Sequence, residues 1–277
     1  MRLGKNSKPL AGVIGWPVAH SRSPKLHGAW LARYRIAGEY RLLPVPPGKL
    51  ADALRALPAQ GFVGANLTIP HKEAALALCD VLDASAARAG AVNTLQFHAG
   101  KIIGSNTDGF GYLANLRAHG VDPAAGPALI LGAGGAARAI GAALQDANAA
   151  ITFCNRTAAR ATALAAQFPP ARILPWEQRE TALRDFALLV NTTALGMQHQ
   201  PPLPMSLDAA SSGLVVSDIV YVPLQTPLLR DAAARGLQAV EGLGMLLHQG
   251  VPGFEAWFGV RPEVDAELYR IVAADLL

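Results

Sequence analysis

The sequence predicts an α/β protein of two domains, each built on a mostly parallel sheet. Three observations carry this. Strand-like and helix-like segments alternate along almost the whole chain, the pattern of βαβ units. The length of 277 residues exceeds what one hydrophobic core usually serves. A glycine-rich turn from strand to helix, "ALILGAGGAARAIGAAL", begins only at Ala128, so nearly half the chain precedes the unit it opens.

The elements follow in order from periodicity, caps and turn residues. "LAGVIGW" reads as a strand and "SPKLHGAWLARYRIA" as a helix, with Ser23 capping and Pro24 at the first helical position. "YRLLPV" is a second strand, "LADALRAL" a helix and "GFVGANLT" a third strand. A helical region is expected from Pro70 to about Ala89. "AVNTLQFHAGKIIGSNTDG" reads as two short strands around a turn at Ala99–Gly100, and "GFGYLANLRAHG" as a helix ending on glycine. The strands of the second half are "ALILG", "AITFCN", "ARILP", "ALLVNTT", "LVVSDIV" and "QAVEG", with helices between most of them. "GMLLHQGVPGFEAWFGV" and "PEVDAELYRIVAADLL" read as two closing helices. The natural boundary falls near Gly109, giving a first domain of residues 1–109 and a second of 110–244. The last helices are free to pack back on the first domain.

Composition narrows the function classes. Hydrophobic residues make up 51% and charged residues 16%, which supports real cores and excludes a disordered chain. The net charge of +4 is modest and its arginines are scattered, so a small anionic ligand fits better than nucleic acid. Cys79 and Cys154 have no metal-like spacing and read as thiols of a reducing compartment. Asp, Gly or Pro cuts every apolar stretch before the roughly 20 residues a bilayer requires. The cytoplasm is the expected location, with no membrane partner.

The cofactor signal is the turn "LGAGGAA". Gly132, Gly134 and Ala137 match G-x-G-x-x-G/A between an expected strand and an expected helix. Gly132 permits the tight turn, Gly134 lets a pyrophosphate approach the backbone, and Ala137 allows close helix packing. A ribose 2′-hydroxyl would call for an acid about 20 positions on. Asn155, Arg156 and Thr157 stand there instead, with Arg160 following. A guanidinium pairs with a 2′-phosphate where an acid would repel it. Either arginine alone could be a solvated surface residue; together with the missing acid they point to NADP.

Hydride chemistry at a carbonyl needs a proton donor. All six lysines lie at or before Lys101, so a lysine acid must come from the first domain. Lys72 in "NLTIPHKEAAL" stands out: Pro70 suggests a helix start, and a cation in a first turn opposes the dipole without structural gain. The alternative is a solvated surface lysine. Ser21 and Ser23 in "AHSRSPKLH" could cradle a carboxylate at a helix start, or Ser23 could merely cap. Asp108 in "SNTDGFG" could cap the next helix, and Asn93 could serve a turn. His20, His27 and His71 match no metal or nucleophile pattern, and no metal site is expected.

The motifs "HSRSPKLH", "GANLTIPHK", "GAVNTL", "NTDG", "LGAGGAARA", "NRT" and "EGLGMLLHQ", in this order, resemble the shikimate dehydrogenase family over nearly the whole chain. The resemblance implies a discontinuous N-terminal substrate domain, residues 1–109 plus 245–277, joined to an NADP-binding Rossmann domain of residues 110–244. It implies reversible reduction of 3-dehydroshikimate to shikimate. Lys72 and Asp108 would form the catalytic acid–base pair. Ser21, Ser23 and Tyr221 would hold the carboxylate side of the substrate, and Thr68, Asn93, Asp108 and Gln249 its ring hydroxyls. Gly132, Ala133, Gly134, Gly135, Ala136, Asn155, Arg156, Thr157, Arg160, Ile219 and Gly242 would contact the cofactor. Ile219 stands where family members often have methionine, and "NRTAAR" carries alanine where some carry another cation. Competing readings are a quinate/shikimate dehydrogenase with relaxed substrate or cofactor use, and a related enzyme acting on an amino-substituted analogue. A third is a non-catalytic NADP-binding sensor, which would have no reason to keep Lys72, Asp108 and the serine pair together. A monomer and a homodimer are both compatible with the sequence.

Overall fold

The computed structural model describes residues 8–276 and divides into two compact units. The first unit holds the chain up to Asp108 together with Leu246–Ala274; the second holds Gly109–Met245 and the chain end from Asp275.

The first unit carries strands β1 (Leu10–Gly15), β2 (Glu39–Pro44), β3 (Gly64–Leu67), β4 (Val81–Leu82), β5 (Thr94–His98) and β6 (Lys101–Ser105). They form one sheet in the order β2-β1-β3-β5-β6-β4. The pairs β1/β2, β1/β3 and β4/β6 are parallel, whereas β3/β5 and β5/β6 are antiparallel. Strand β1 is buried on both faces. Its Ile14 joins Leu54, Leu67 and Leu95 on one side, while Ala11 and Val13 join Tyr40 and Trp257 on the other. A central strand covered on both faces reads as a nearly continuous apolar run, which "LAGVIG" is. Helices α1 (Ser23–Arg33), α2 (Leu50–Ala56) and α3 (Ala84–Ala89) belong to this unit.

The stretch 70–89 departs from the expected helix. Only a 3-10 turn over Ala74–Leu78 and the short α3 are helical, with β4 between them. Asp80 exchanges bonds with Ile102, its N–H to the Ile102 carbonyl and its carboxylate accepting the Ile102 N–H. Pairing with β6 therefore overrides the alanine-rich helix propensity.

The second unit begins within α4 (Asp108–Ala118) and carries β7 (Ala128–Leu131), α5 (Gly135–Asp146), β8 (Ile151–Cys154), α6 (Ala158–Ala165) and β9 (Arg172–Leu174). It continues through β10 (Leu188–Asn191), β11 (Val215–Asp218), α7 (Pro227–Ala234), β12 (Gln238–Val240) and the start of α8 (Leu243–Phe258). A last helix, α9 (Ala266–Ala273), lies in the first unit. The six strands are parallel in the order β12-β11-β10-β7-β8-β9. Read in chain order within the unit, that is the 3-2-1-4-5-6 arrangement of the Rossmann fold. Ala128 and Ile130 face one core and Leu129 and Leu131 the other, so each face of β7 is sealed by helices or loops.

Candidate active site

The polar cluster of the first unit is assembled from three loops. After β3, the Thr68 N–H donates to the Ile14 carbonyl and the His71 N–H to the Thr68 carbonyl. The His71 ring then donates from Nε2 to the Val45 carbonyl at 2.7 Å, fixing the loop against the segment after β2. The Lys72 carbonyl accepts the Val92 N–H at 2.8 Å. Lys72 thus sits in an anchored turn before the 3-10 stretch, not in the first turn of an α-helix. Lys72 therefore opposes no α-helix dipole.

What distinguishes Lys72 is its partner. Its Nζ donates to Asp108 Oδ2 at 2.5 Å, with the lysine side chain 23% exposed and the aspartate 8%. Asp108 opens α4, and among the described residues its carboxylate bonds to side chains rather than to the helix N–H groups. The side chain of Asn106 receives the Asp108 N–H instead, and its amide donates to the Ala91 carbonyl. The Asp108 carboxylate is thereby left for Lys72 and for Asn93, whose Nδ2 donates to Oδ1 at 2.8 Å. An ammonium has three donors. Among the described residues only one is committed, so Lys72 retains two for a ligand.

Asn93 is the hub of the cluster. Its Nδ2 also reaches Thr107 Oγ1 at 3.0 Å and Gln249 Oε1 at 3.3 Å, while its Oδ1 accepts from the Thr107 N–H and the Thr94 hydroxyl. Behind it, buried Asn66 on β3 accepts from Tyr40 and donates to the Asn93 carbonyl and to Thr94. Four of the residues named from sequence therefore meet here: Lys72, Asn93, Asp108 and Gln249. Sequence reasoning misses Asn66, Thr94, Asn106 and Thr107. A lone asparagine in the apolar run "GANL" and an asparagine two positions before a helix start are the available signals.

Ser21 and Ser23 stand at the head of α1. Ser23 is the first helical residue rather than the cap; the flanking residue Arg22 makes no side-chain capping bond, and the Ser23 N–H approaches Ser21 Oγ at 3.3 Å. Ser23 is buried and faces the Tyr40 hydroxyl. Thr68 is half-buried, four residues before Lys72.

In the second unit, β7 lies between β8 and β10, the point where strand order reverses and open α/β sheets bind ligands. The glycine turn occupies that point. Gly132 has φ +115°, and a Cβ there would lie 2.5 Å from Thr192 Oγ1. Among the described residues nothing lies within 4 Å of where a Cβ on Gly134 or Gly135 would stand. Helix α5 starts at Gly135 with no side-chain cap, leaving its first N–H groups for an anion. Ala133 and Ala136 are half-buried beside the turn. After β8, Asn155 donates to the Thr157 carbonyl, and Thr157 precedes α6 without capping it by its side chain. Arg156 and Arg160 are exposed. Ile219 and Tyr221 follow β11, and Gly242 packs so closely on the Ile219–Val220 backbone that a Cβ would collide with the Ile219 carbonyl. The glycines, uncapped helix and exposed arginines fit a dinucleotide bearing a 2′-phosphate. Among the described residues no cluster of metal-ligating side chains occurs, and no helix is long and apolar enough to cross a membrane.

A Rossmann unit with an open glycine turn, in a chain that also holds a lysine–carboxylate pair, defines the class of dinucleotide-dependent dehydrogenases. The family models agree. "Shikimate dehydrogenase substrate binding domain" matches residues 13–95, "Shikimate / quinate 5-dehydrogenase" residues 118–199, and "Shikimate 5'-dehydrogenase C-terminal domain" residues 242–266. The chain is 65% identical over 268 residues to the shikimate dehydrogenase (NADP(+)) of Acidiphilium cryptum, covering 97% of both chains. It is 55% identical to that of Paracoccus denitrificans, covering 96% of both. The crystal structure of shikimate 5-dehydrogenase from Thermus thermophilus in complex with NADP(H) and shikimate superposes with a TM-score of 0.88 at 39% identity, covering 98% of this chain and 100% of that one. The chain belongs to the shikimate dehydrogenase family.

Proposed function

We propose that this protein catalyses the reversible NADP-dependent reduction of 3-dehydroshikimate to shikimate, a step of the route to chorismate and the aromatic amino acids. The Lys72–Asp108 pair, held from behind by Asn93, carries the reading. When bound, NADPH supplies the hydride. Lys72 stabilises the negative charge that develops on the carbonyl oxygen and delivers the proton to it. Asp108 orients the ammonium, and in the reverse direction Lys72 takes the proton from the substrate hydroxyl. Ser21, Ser23 and Tyr221 would bind the substrate carboxylate, and Thr68, Asn93, Asp108 and Gln249 its hydroxyls.

On the cofactor side, Gly132 through Ala136 and the head of α5 would receive the pyrophosphate, and Asn155, Arg156, Thr157 and Arg160 the 2′-phosphate end. Ile219 and Gly242 would border the nicotinamide. The reading places the enzyme in the cytoplasm, in keeping with free thiols at Cys79 and Cys154.

Initial rates with shikimate and quinate, each with NADP and NAD, test the proposal. The expected result is the highest kcat/KM for shikimate with NADP. A preference for quinate or for NAD would overturn the specificity, and no turnover with any pair would overturn the enzymatic reading.

A further inference from the structure

Asp218 ends β11 and is 1% exposed, yet the chemistry above does not use it. A buried carboxylate requires donors, and three surround it. Asn191 Nδ2 donates to Oδ1 at 3.0 Å, the Val220 N–H to Oδ1 at 3.0 Å, and the Thr226 hydroxyl to Oδ2 at 2.8 Å. These donors come from separate places in the chain. Asn191 ends β10, Val220 lies in the loop after β11, and Thr226 caps α7 by accepting the Leu229 N–H.

Asn191 extends the linkage. Its Oδ1 accepts the N–H and the hydroxyl of Thr193, its Nδ2 reaches the Leu195 carbonyl, and its own carbonyl accepts the Ile219 N–H. Asp218 therefore gathers the loops that leave β10 and β11 at the ligand-binding edge of the sheet. Gly242 closes on the same backbone from another side. Burial drives the Asp218 carboxyl up to about 6 against the pull of the three bonds, so the group is held there at a cost.

We propose that Asp218 is a positioning residue that sets the nicotinamide end of the cofactor site by clasping the Ile219–Val220 backbone between the β10 loop and α7. The proposal rests on the assignment of NADP to this unit. It is local: β8, which carries the 2′-phosphate end, is three strands from β11, roughly 14 Å at about 4.8 Å per strand. The clasp acts on one end of the cofactor and not on the other.

Dissociation constants of the full chain for NADPH and for 2′,5′-ADP, which lacks the nicotinamide, test this. Asp218→Asn keeps the shape but replaces one acceptor by a donor; Thr226→Val removes one donor; Thr226→Ser keeps it. The clasp predicts NADPH weakened by about tenfold or more in Asp218→Asn and Thr226→Val, with 2′,5′-ADP within about twofold of wild type and Thr226→Ser like wild type for both. NADPH affinity unchanged in both variants, or equal weakening of both ligands, overturns the clasp. Wild type binding neither ligand overturns the NADP assignment, and the clasp's role with it.

Discussion

Lys72 Nζ and Asp108 Oδ2 stand 2.5 Å apart although 36 positions separate the residues in the chain. One comes from the loop after β3 and the other from the head of α4, and Asn93 holds the carboxylate from its second oxygen. The carboxylate is thus held at both oxygens, one by the Lys72 ammonium and the other by the Asn93 amide.

Asp108→Asn removes the charge that orients the ammonium. The expected effect is a roughly 10- to 100-fold fall in kcat, the scale of a misplaced catalytic group. NADPH binding, measured by fluorescence titration, should remain as in wild type. An unchanged kcat would mean that Lys72 needs no anchor.

Asn66→Ala deletes three buried hydrogen bonds at once, to Tyr40, the Asn93 carbonyl and Thr94. Leaving buried polar groups unpaired costs about 1–3 kcal/mol each. Urea unfolding should show a lower midpoint at constant slope, and kcat should fall because Asn93 loses its support. An unchanged midpoint would show that water or rearrangement satisfies these groups.

If Arg156 holds the 2′-phosphate as proposed, Arg156→Ala removes a charge-assisted bond worth about 1.5–3 kcal/mol, or about 10- to 150-fold in NADP use. Use of NAD should be nearly unaffected. Equal losses for both cofactors, read from kcat/KM, would make Arg156 a structural residue.

Two buried groups give opposite pH dependences of stability. His27 is stacked on Tyr40 at 4.0 Å, and burial lowers its pKa from 6.5 to about 3. The unfolded chain binds that proton first, so this contribution is lost as pH falls below 6.5. Burial raises Asp218 from 3.8 to about 6, so the native state holds the extra proton and stability is lost as pH rises through that window. Each slope reaches about 1.4 kcal/mol per pH unit, and the two oppose between 3.8 and about 6. Urea unfolding across this range should show His27→Phe losing stability as pH rises and Asp218→Asn losing it as pH falls. Parallel curves for both variants and wild type would contradict the assignment.

Much of the fold is legible in the sequence. The six strands of the second unit, the glycine turn at Gly132 and the hairpin at Ala99–Gly100 are written in local patterns of alternation and turn residues. Lys72 stands out in the sequence for a helix dipole that the structure does not supply. Its real distinction, Asp108, is a tertiary contact that spacing does not encode. The stretch after Pro70 misleads for a related reason: its alanines favour a helix locally, and only the edge of β6 makes a strand of Val81–Leu82. Asn66 gives only the faint signal of a polar residue in an apolar run, and Thr107 and Asp218 are silent, because the need of a buried polar atom for partners shows only once burial is known.

The most direct test of the account is kcat of Lys72→Met, an unbranched side chain of similar length without charge or proton. Loss of a general acid predicts a fall of about 10²–10⁴, with NADPH affinity and thermal midpoint as in wild type. A kcat within a few-fold of wild type across the pH range, in a folded variant that binds NADPH, would contradict the role of Lys72.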